Sequence, residues 1–271
     1  QGYVFAAKTA AAHIASLLGR LEQARRLHGQ AAALQANFER VFWNDELGMY
    51  ALALDGAKRP CLVRSSNAGQ VLLSSMAEPD RARKIAEQMM GRAFFSGWGI
   101  RTIAAGEARY NPMSYHNGSV WPHDNALIAL GFARYGLREP AARVFSSLFE
   151  TASHADLRRL PELFCGFPRM RGQGPTAYPV ACSPQAWAAG TLPSLLQASL
   201  GIGFDPASRT VSFDRPTLPN FLTYVNLTNL RIHDASIDVT LSRTSSRSHG
   251  SGAVAMSVTA RRGDIRAMMT S

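Results

Sequence analysis

The sequence predicts a mainly α protein, a toroid built from helical hairpins, followed by a small antiparallel β unit. Three observations carry that prediction. Apolar residues recur at spacings of three and four through most of residues 3–200, the period of helices with one buried face. Short turns alternate with long connections rich in Gly and aromatic residues, the rhythm of helix pairs whose long loops gather on one face. After Gly201 the pattern changes to alternating apolar and polar residues divided by Asp-, Ser- and Gly-rich turns, the period of strands. Residues 1–201 therefore form the expected helical part and residues 202–271 the β appendage.

Taken in order, residues 3–18 place Val4, Ala7, Ala11, Ile14, Ala15 and Leu18 on one helical face, and Gly19 ends that helix. Residues 21–43 do the same with Ala24, Leu27, Ala31, Leu34, Phe38, Val41 and Phe42. A turn at residues 44–48 and weak alternation at 49–54 predict a short hairpin arm. Ser66 is expected to cap a helix running to about Met76, and Pro79 to start another ending near Gly91. Residues 94–115 hold Gly and aromatics without helical period, so they read as loop with one short extended piece. Helix returns over 122–135, stops at Gly136, and restarts after Glu139-Pro140 through Ala152. The last helix is expected over 184–200, with Ser183 as N-cap and Pro184 in the first turn. That makes seven helices. Strands are expected at 210–213, 221–230, 236–241, 253–259 and 265–269. Residues 244–252, with four Ser and two Gly, read as an exposed hairpin tip.

Composition excludes several classes. With 46% hydrophobic and 18% charged residues in 271, the chain can bury a sizeable core and is not of the disordered type. The net charge of +10 rests almost wholly on scattered Arg, the lysines being Lys8, Lys58 and Lys84, so no nucleic-acid partner is expected. No apolar run reaches membrane-spanning length and no signal-peptide pattern is present, so no membrane partner is expected either. Cys61, Cys165 and Cys182 are odd in number and match no metal spacing. The expectation is a cytoplasmic protein without cofactor or metal. The chain begins at Gln1-Gly2-Tyr3 without an initiator Met and enters a helical pattern at once, as a piece of a longer protein would.

The densest chemistry lies in residues 160–191. Leu160-Pro161-Glu162-Leu163-Phe164-Cys165-Gly166 puts one carboxylate in a loop bracketed by Pro161 and Gly166. Gly172, Gly174, Pro175 and Pro179 keep the next segment irregular, and a loop of this length in a compact domain is functional or disordered. Its aromatics, Phe164, Phe167, Tyr178 and Trp187, speak for order. A lone loop Glu is ordinarily solvated; in this setting Glu162 reads as a catalytic carboxylate in one wall of a sugar site. The second dense stretch is Arg109-Tyr110-Asn111-Pro112-Met113-Ser114-Tyr115-His116-Asn117-Gly118-Ser119-Val120-Trp121-Pro122-His123-Asp124-Asn125. Sugars are held by aromatic platforms under their C–H faces and by amides and carboxylates at their hydroxyls. Tyr115, His116, Asn117, Trp121, His123 and Asp124 supply both, as does Trp187. Asp124 and Asn125 could equally satisfy backbone donors at a helix start. His116 and His123 stand seven apart with no third ligand, which argues against a metal. Arg101 follows Gly97 and Gly99, which would let backbone approach a ligand; it is a sugar contact or a structural Arg. Trp98 is a platform or a core residue. There is no Gly-x-Ser-x-Gly elbow and no Gly-x-Gly-x-x-Gly or phosphate loop.

Pro161-Glu162-Leu163 followed by Ser183-Pro184-Gln185-Ala186-Trp187 resembles the end of the catalytic domain in amylo-α-1,6-glucosidases, the glucosidase part of glycogen debranching enzymes. The likeness to glucoamylase-type enzymes is more distant. The stretch from Asn111 to Asn125 is similar to that of bacterial relatives, and Gly2-Tyr3-Val4-Phe5-Ala6-Ala7 resembles a segment in the middle of that domain. The resemblance covers most of the chain, the β unit included. It implies an (α/α)6 barrel of twelve helices, of which this chain is the C-terminal half. It also implies inversion by two carboxyl groups standing about 6.5–9.5 Å apart. On that basis Glu162 is the general base, the general acid is an Asp of the upstream half, and the substrate is an α-glucan or oligosaccharide. Asp124 lies in the wrong motif to be the acid. One carboxylate cannot both protonate the leaving oxygen and activate water, so the chain alone is expected to be inactive. Two other readings are a catalytically inactive carbohydrate-binding or scaffold half barrel, and a sugar epimerase using His116 or His123 as acid/base. A half barrel would expose apolar helix faces.

Overall fold

The computed structural model describes residues 1–244 and 253–270. Three helical hairpins open the chain: α1 (Gly2–Leu17) with α2 (Leu21–Phe42), α3 (Asn67–Leu73) with α4 (Pro79–Met90), and α5 (Pro122–Arg134) with α6 (Arg138–His154). Pro at the first position of α4 and of α5 fixes where each begins, because the missing N–H would have no intrahelical partner there. α1 touches α3, α3 packs on α5, and α5 packs on α8 (Thr191–Leu200), which makes an inner row. α2, α4 and α6 each pack on the helix before them.

Two inner helices meet closely because glycines face the contact. A Cβ on Gly131 of α5 would stand 2.8 Å from Leu72 Cβ, and one on Gly69 of α3 would stand 2.8 Å from an Ile128 methylene carbon. Leu72, Ile128, Phe132, Met89 and Leu148 fill the core around that contact. Buried Glu39 on α2 ties the hairpins together: it accepts from the Tyr50 hydroxyl (2.7 Å) and the Glu78 N–H (2.8 Å), and pairs with Arg81 of α4. Between the first two hairpins, β1 (Trp43–Asn44) pairs with β2 (Met49–Tyr50) as the expected arm. A second small arm, β3 (Ala53–Leu54) with β4 (Pro60–Cys61), follows it.

The C-terminal strands form two three-stranded sheets. β5 (Ile202–Asp205), β6 (Thr210–Asp214) and β10 (Arg266–Thr270) make one, in the order β10-β6-β5. β7 (Tyr224–Ile232), β8 (Ala235–Arg243) and β9 (Val254–Arg262) make the other. Ala235, Ile237, Val239 and Leu241 of β8 alternate into a second core with Val211, Phe213 and Leu200, as a period of two requires. Leu196 of α8 packs against both cores.

Several expected elements are corrected. The helix expected over residues 184–200 is two: α7 (Ala186–Ala189), then α8. Pro193 has no N–H to give the Ala189 carbonyl, so one continuous helix lacks a bond at that point. Ser183 is not the N-cap; Gln185 is, its side chain accepting from Ala186 N. Eight α-helices rather than seven therefore occur among the described residues. α3 stops at Leu73 instead of Met76, since the Ser74 hydroxyl donates to the Val71 carbonyl (2.6 Å) and Ser75 takes φ 58°. Ser66 precedes α3 without a side-chain cap bond. The β unit is not wholly antiparallel: β10 runs parallel to β6, and β5 has no counterpart among the expected strands. Residues 245–252, most of the expected hairpin tip, lie outside the described residues. No helix among the described residues is long and apolar enough to cross a membrane.

The apolar face predicted for α1 is largely open. Of the expected residues only Ala15 is buried, while Val4, Ile14 and Leu18 are exposed, the last by 64%; the other buried position is Ala12.

The close α3–α5 approach makes a stability prediction. Gly131→Ala forces a methyl against the backbone of Leu72 and Leu73 and should cost about 1–3 kcal/mol, read as a lower urea midpoint. An unchanged midpoint would contradict that packing.

Candidate active site

The long connections are ordered by one another. Arg101 bridges Val120, Val120 bridges Phe164, and Phe164 bridges Ala177, all antiparallel, so the loop segments lie side by side. Val120 and Phe164 exchange both backbone bonds (2.9 and 3.0 Å). Gly166 sits so close to the next segment that a Cβ there would be 1.7 Å from the Gly118 carbonyl oxygen. The loops meet where neither residue has a side chain.

Arg101 clamps this assembly. It is 2% exposed, its Nε donates to the Gly166 carbonyl (2.6 Å), and its Nη1 donates to the carbonyls of Arg92 (3.1 Å) and Ala93 (3.3 Å). Burial pulls its pKa below the ordinary arginine value. Its Nε and Nη1 donors are spent on backbone and the side chain is buried, so the sugar-contact expectation for Arg101 is corrected to the structural one. Trp98 is likewise a core residue, 3% exposed, with the Arg169 guanidinium 4.5 Å over its ring and His154 at its edge. It offers no free face as a platform. Asn125 is also structural: fully buried, it accepts from Ile100 N (2.7 Å) and donates to the carbonyls of Ile100 and Trp121.

The remaining expected residues converge. Glu162, 7% exposed, accepts from the Tyr115 hydroxyl at Oε1 (2.7 Å) and from the Cys182 N–H at Oε2 (3.3 Å). Its own N–H donates to the Cys182 carbonyl (2.8 Å), so the two strands of the loop hold it from both sides. The hydrogen bond to Glu162, followed by burial, pushes the Tyr115 phenol up to about 12. Trp121 meets Tyr115 edge-on at 4.9 Å and lies parallel to His116 at 6.1 Å. Its indole N–H donates to the Tyr115 carbonyl (3.1 Å). His123 stacks on Trp187 at 4.1 Å, and Trp187 stays 50% exposed. His116, Asn117, Trp121, His123, Asp124 and Trp187 line one cavity of about 450 Å³.

Asp124 does not cap a backbone donor. Its Oδ1 accepts from Gln70 on α3, whose Oε1 accepts from the Tyr3 hydroxyl (2.9 Å). Burial raises the Asp124 carboxyl above the usual carboxylate range, against the Ser66 and Gln70 side chains, which lower it. Burial depresses His123, with Asp124 and Glu162 opposing it. Asp124 Oδ2 and His123 Nδ1 are buried without a hydrogen-bond partner. Sequence reasoning missed the α3 side of the cavity, where Ser66 and Asn67 line it and Gln70 holds Asp124. The spacing of Asn67 and Gln70, two amides three apart on a short helix, was the available signal. Among the described residues no group of three His, Cys, Asp or Glu could hold a metal.

Residues 1–165 match the family model of the mannosylglycerate hydrolase MGH1-like glycoside hydrolase domain. Among solved structures, a protein named "Sialidase" is similar at 15% identity and TM-score 0.74, over 95% of this chain and 24% of that one. A GH63 mannosylglycerate hydrolase from Thermus thermophilus, in complex with glucose, is similar at 20% identity and TM-score 0.56, over 72% of this chain and 44% of that one. The neutral trehalase Nth1 from Saccharomyces cerevisiae is similar at 15% identity and TM-score 0.54, over 73% and 36%. The mannosylglycerate hydrolase and trehalase neighbours are of the (α/α)6 glycosidase type. The chain spans less than half the length of each of these structures. No curated protein matches its sequence.

The raised Asp124 carboxyl carries a sign. Where the folded pKa lies above the unfolded one, ionisation costs stability as pH rises past the unfolded value, and the cost levels off above the folded value. Asp124→Asn should therefore melt higher than the unmodified chain near neutrality, with the gap closing toward acid pH. A gap that is constant across pH, in calorimetry, would contradict this.

Proposed function

The chain belongs to the family of the mannosylglycerate hydrolase MGH1-like glycoside hydrolase domain, and from that premise we propose that it supplies the base-bearing half of an inverting glycosidase. The observation that carries this reading is Glu162: a nearly buried carboxylate, both oxygens hydrogen-bonded, whose partner Tyr115 packs on Trp121 in the wall of a cavity of aromatic and polar side chains. In this reading residues 1–201 are the C-terminal half of an (α/α)6 barrel and residues 202–271 a β appendage.

The chemistry assigns each group a task. Glu162 takes the proton of a water that attacks the anomeric carbon from the face opposite the leaving group. Protonation of the leaving oxygen needs a second carboxyl group, which we place on an Asp of an upstream half. Trp187, half exposed, stacks under the sugar's C–H face with Trp121 packed at its edge in the cavity wall, while Asn117, His116, His123 and Asp124 reach its hydroxyls. The substrate on this reading is an α-glucan or oligosaccharide. The α-1,6 linkage follows from the resemblance to amylo-α-1,6-glucosidases, and the three free cysteines fit a cytoplasmic setting. The open apolar face of α1 fits a helical hairpin that would continue the inner row.

Two measurements test this. The isolated chain should release no sugar from α-glucans, and turnover that Glu162→Gln abolishes in that chain would place both carboxyls within it. In the complete protein, Glu162→Gln should lower kcat by about 10²–10⁴-fold with glucan binding retained in calorimetry. Wild-type kcat in that variant would remove Glu162 from the base role.

A further inference from the structure

We propose that Tyr115 is a positioning residue for Glu162 rather than a sugar contact. The inference rests on the reading of Glu162 as general base. A carboxylate that must accept a proton from a water at one defined place needs its plane fixed. Tyr115 Oη donates to Oε1 at 2.7 Å while the Cys182 N–H reaches Oε2 at 3.3 Å. Two donors on opposite oxygens restrain the torsions of a side chain that would otherwise rotate.

Tyr115 is itself held on every side. Its carbonyl accepts from Trp121 Nε1 (3.1 Å) and from the Ser119 hydroxyl (2.7 Å). Its ring meets Trp121, His116 and Tyr178 edge-on, at 4.9, 4.8 and 5.6 Å. Three rings pack on it, and its one donor is committed to Glu162 rather than to a sugar hydroxyl. The titratable groups facing this pair are Cys182 and Tyr178 from the long loop, His116 from the Tyr115 loop and His123 from α5. Tyr115 is the one whose side chain donates to the carboxylate.

The test uses the complete protein with its glucan substrate, comparing Tyr115→Phe with the unmodified enzyme. The expected result is a kcat lower by about 10- to 100-fold, the range of a lost hydrogen bond to a charged group. KM should stay within about twofold. Tyr115→Phe added to Glu162→Gln should cost nothing more, because the carboxylate it serves is gone. A raised KM with unchanged kcat would make Tyr115 a sugar contact and overturn the proposal. Loss in Glu162→Gln with no effect of Tyr115→Phe would overturn the positioning role alone. Full activity of Glu162→Gln would overturn the base reading beneath it. If Tyr115→Phe does not fold, 3-fluorotyrosine at position 115 keeps the hydroxyl and makes it a stronger donor. KM should then stay unchanged, and a raised KM at unaltered kcat would overturn the proposal.

Discussion

The site depends on a charge that water does not reach. Arg101 is buried with no carboxylate beside it, and burying an ionised group without partners is prohibitive. Its donors are met by carbonyls of residues 92–94 and by that of Gly166. Those acceptors come from loops that are far apart in sequence, so the guanidinium is satisfied only when the loops have come together. Gly118 and Gly166 make that meeting sterically possible, and the Val120–Phe164 bridge adds backbone bonds to it. Glu162 stands two residues from that bridge. The position of the proposed base is therefore set by a structural arginine that is not itself among the residues lining the cavity.

A rigid frame supports a polar interior that is only partly satisfied. The inner row α3, α5 and α8 supplies packing, and the loops at its end carry the polar groups, the usual division between scaffold and function. Around the cavity the ordinary rule of satisfied buried polar atoms breaks down at Asp124 Oδ2 and His123 Nδ1. Such unmet groups cost stability and are characteristic of sites that complete their hydrogen bonding with a ligand. Glu162 is the opposite case, with both oxygens occupied before any substrate arrives.

Much of this was legible in the sequence because helix periodicity and Pro or Gly boundaries are local. α2, α4, α5 and α6 lie within one to three residues of their expected limits for that reason. Pro193 is legible too, and its lost N–H argues locally against a continuous last helix. The parallel pairing of β10 with β6 was not readable, because it joins segments more than fifty residues apart and no turn announces it. Aromatic and polar residues concentrated in 109–125 and 160–191 picked out two loops that come together in the structure, yet composition cannot tell which members of a loop face inward. Trp98 and Arg101 follow glycines as a ligand contact would, and the same glycines serve tight loop packing instead. Asn67 and Gln70, two amides three apart, are visible in the sequence, but what Gln70 holds is set only once α3 lies against α5.

The central claim is that Glu162 activates water on the face opposite the leaving group, with its partner carboxyl supplied from upstream. Proton NMR of the complete protein acting on an α-linked glucan in D2O, followed from the first turnover, tests it most directly. The account predicts that the β anomer appears first and mutarotates to the equilibrium mixture afterwards. Release of the α anomer first would mean retention and a covalent intermediate, which would contradict the base assignment of Glu162.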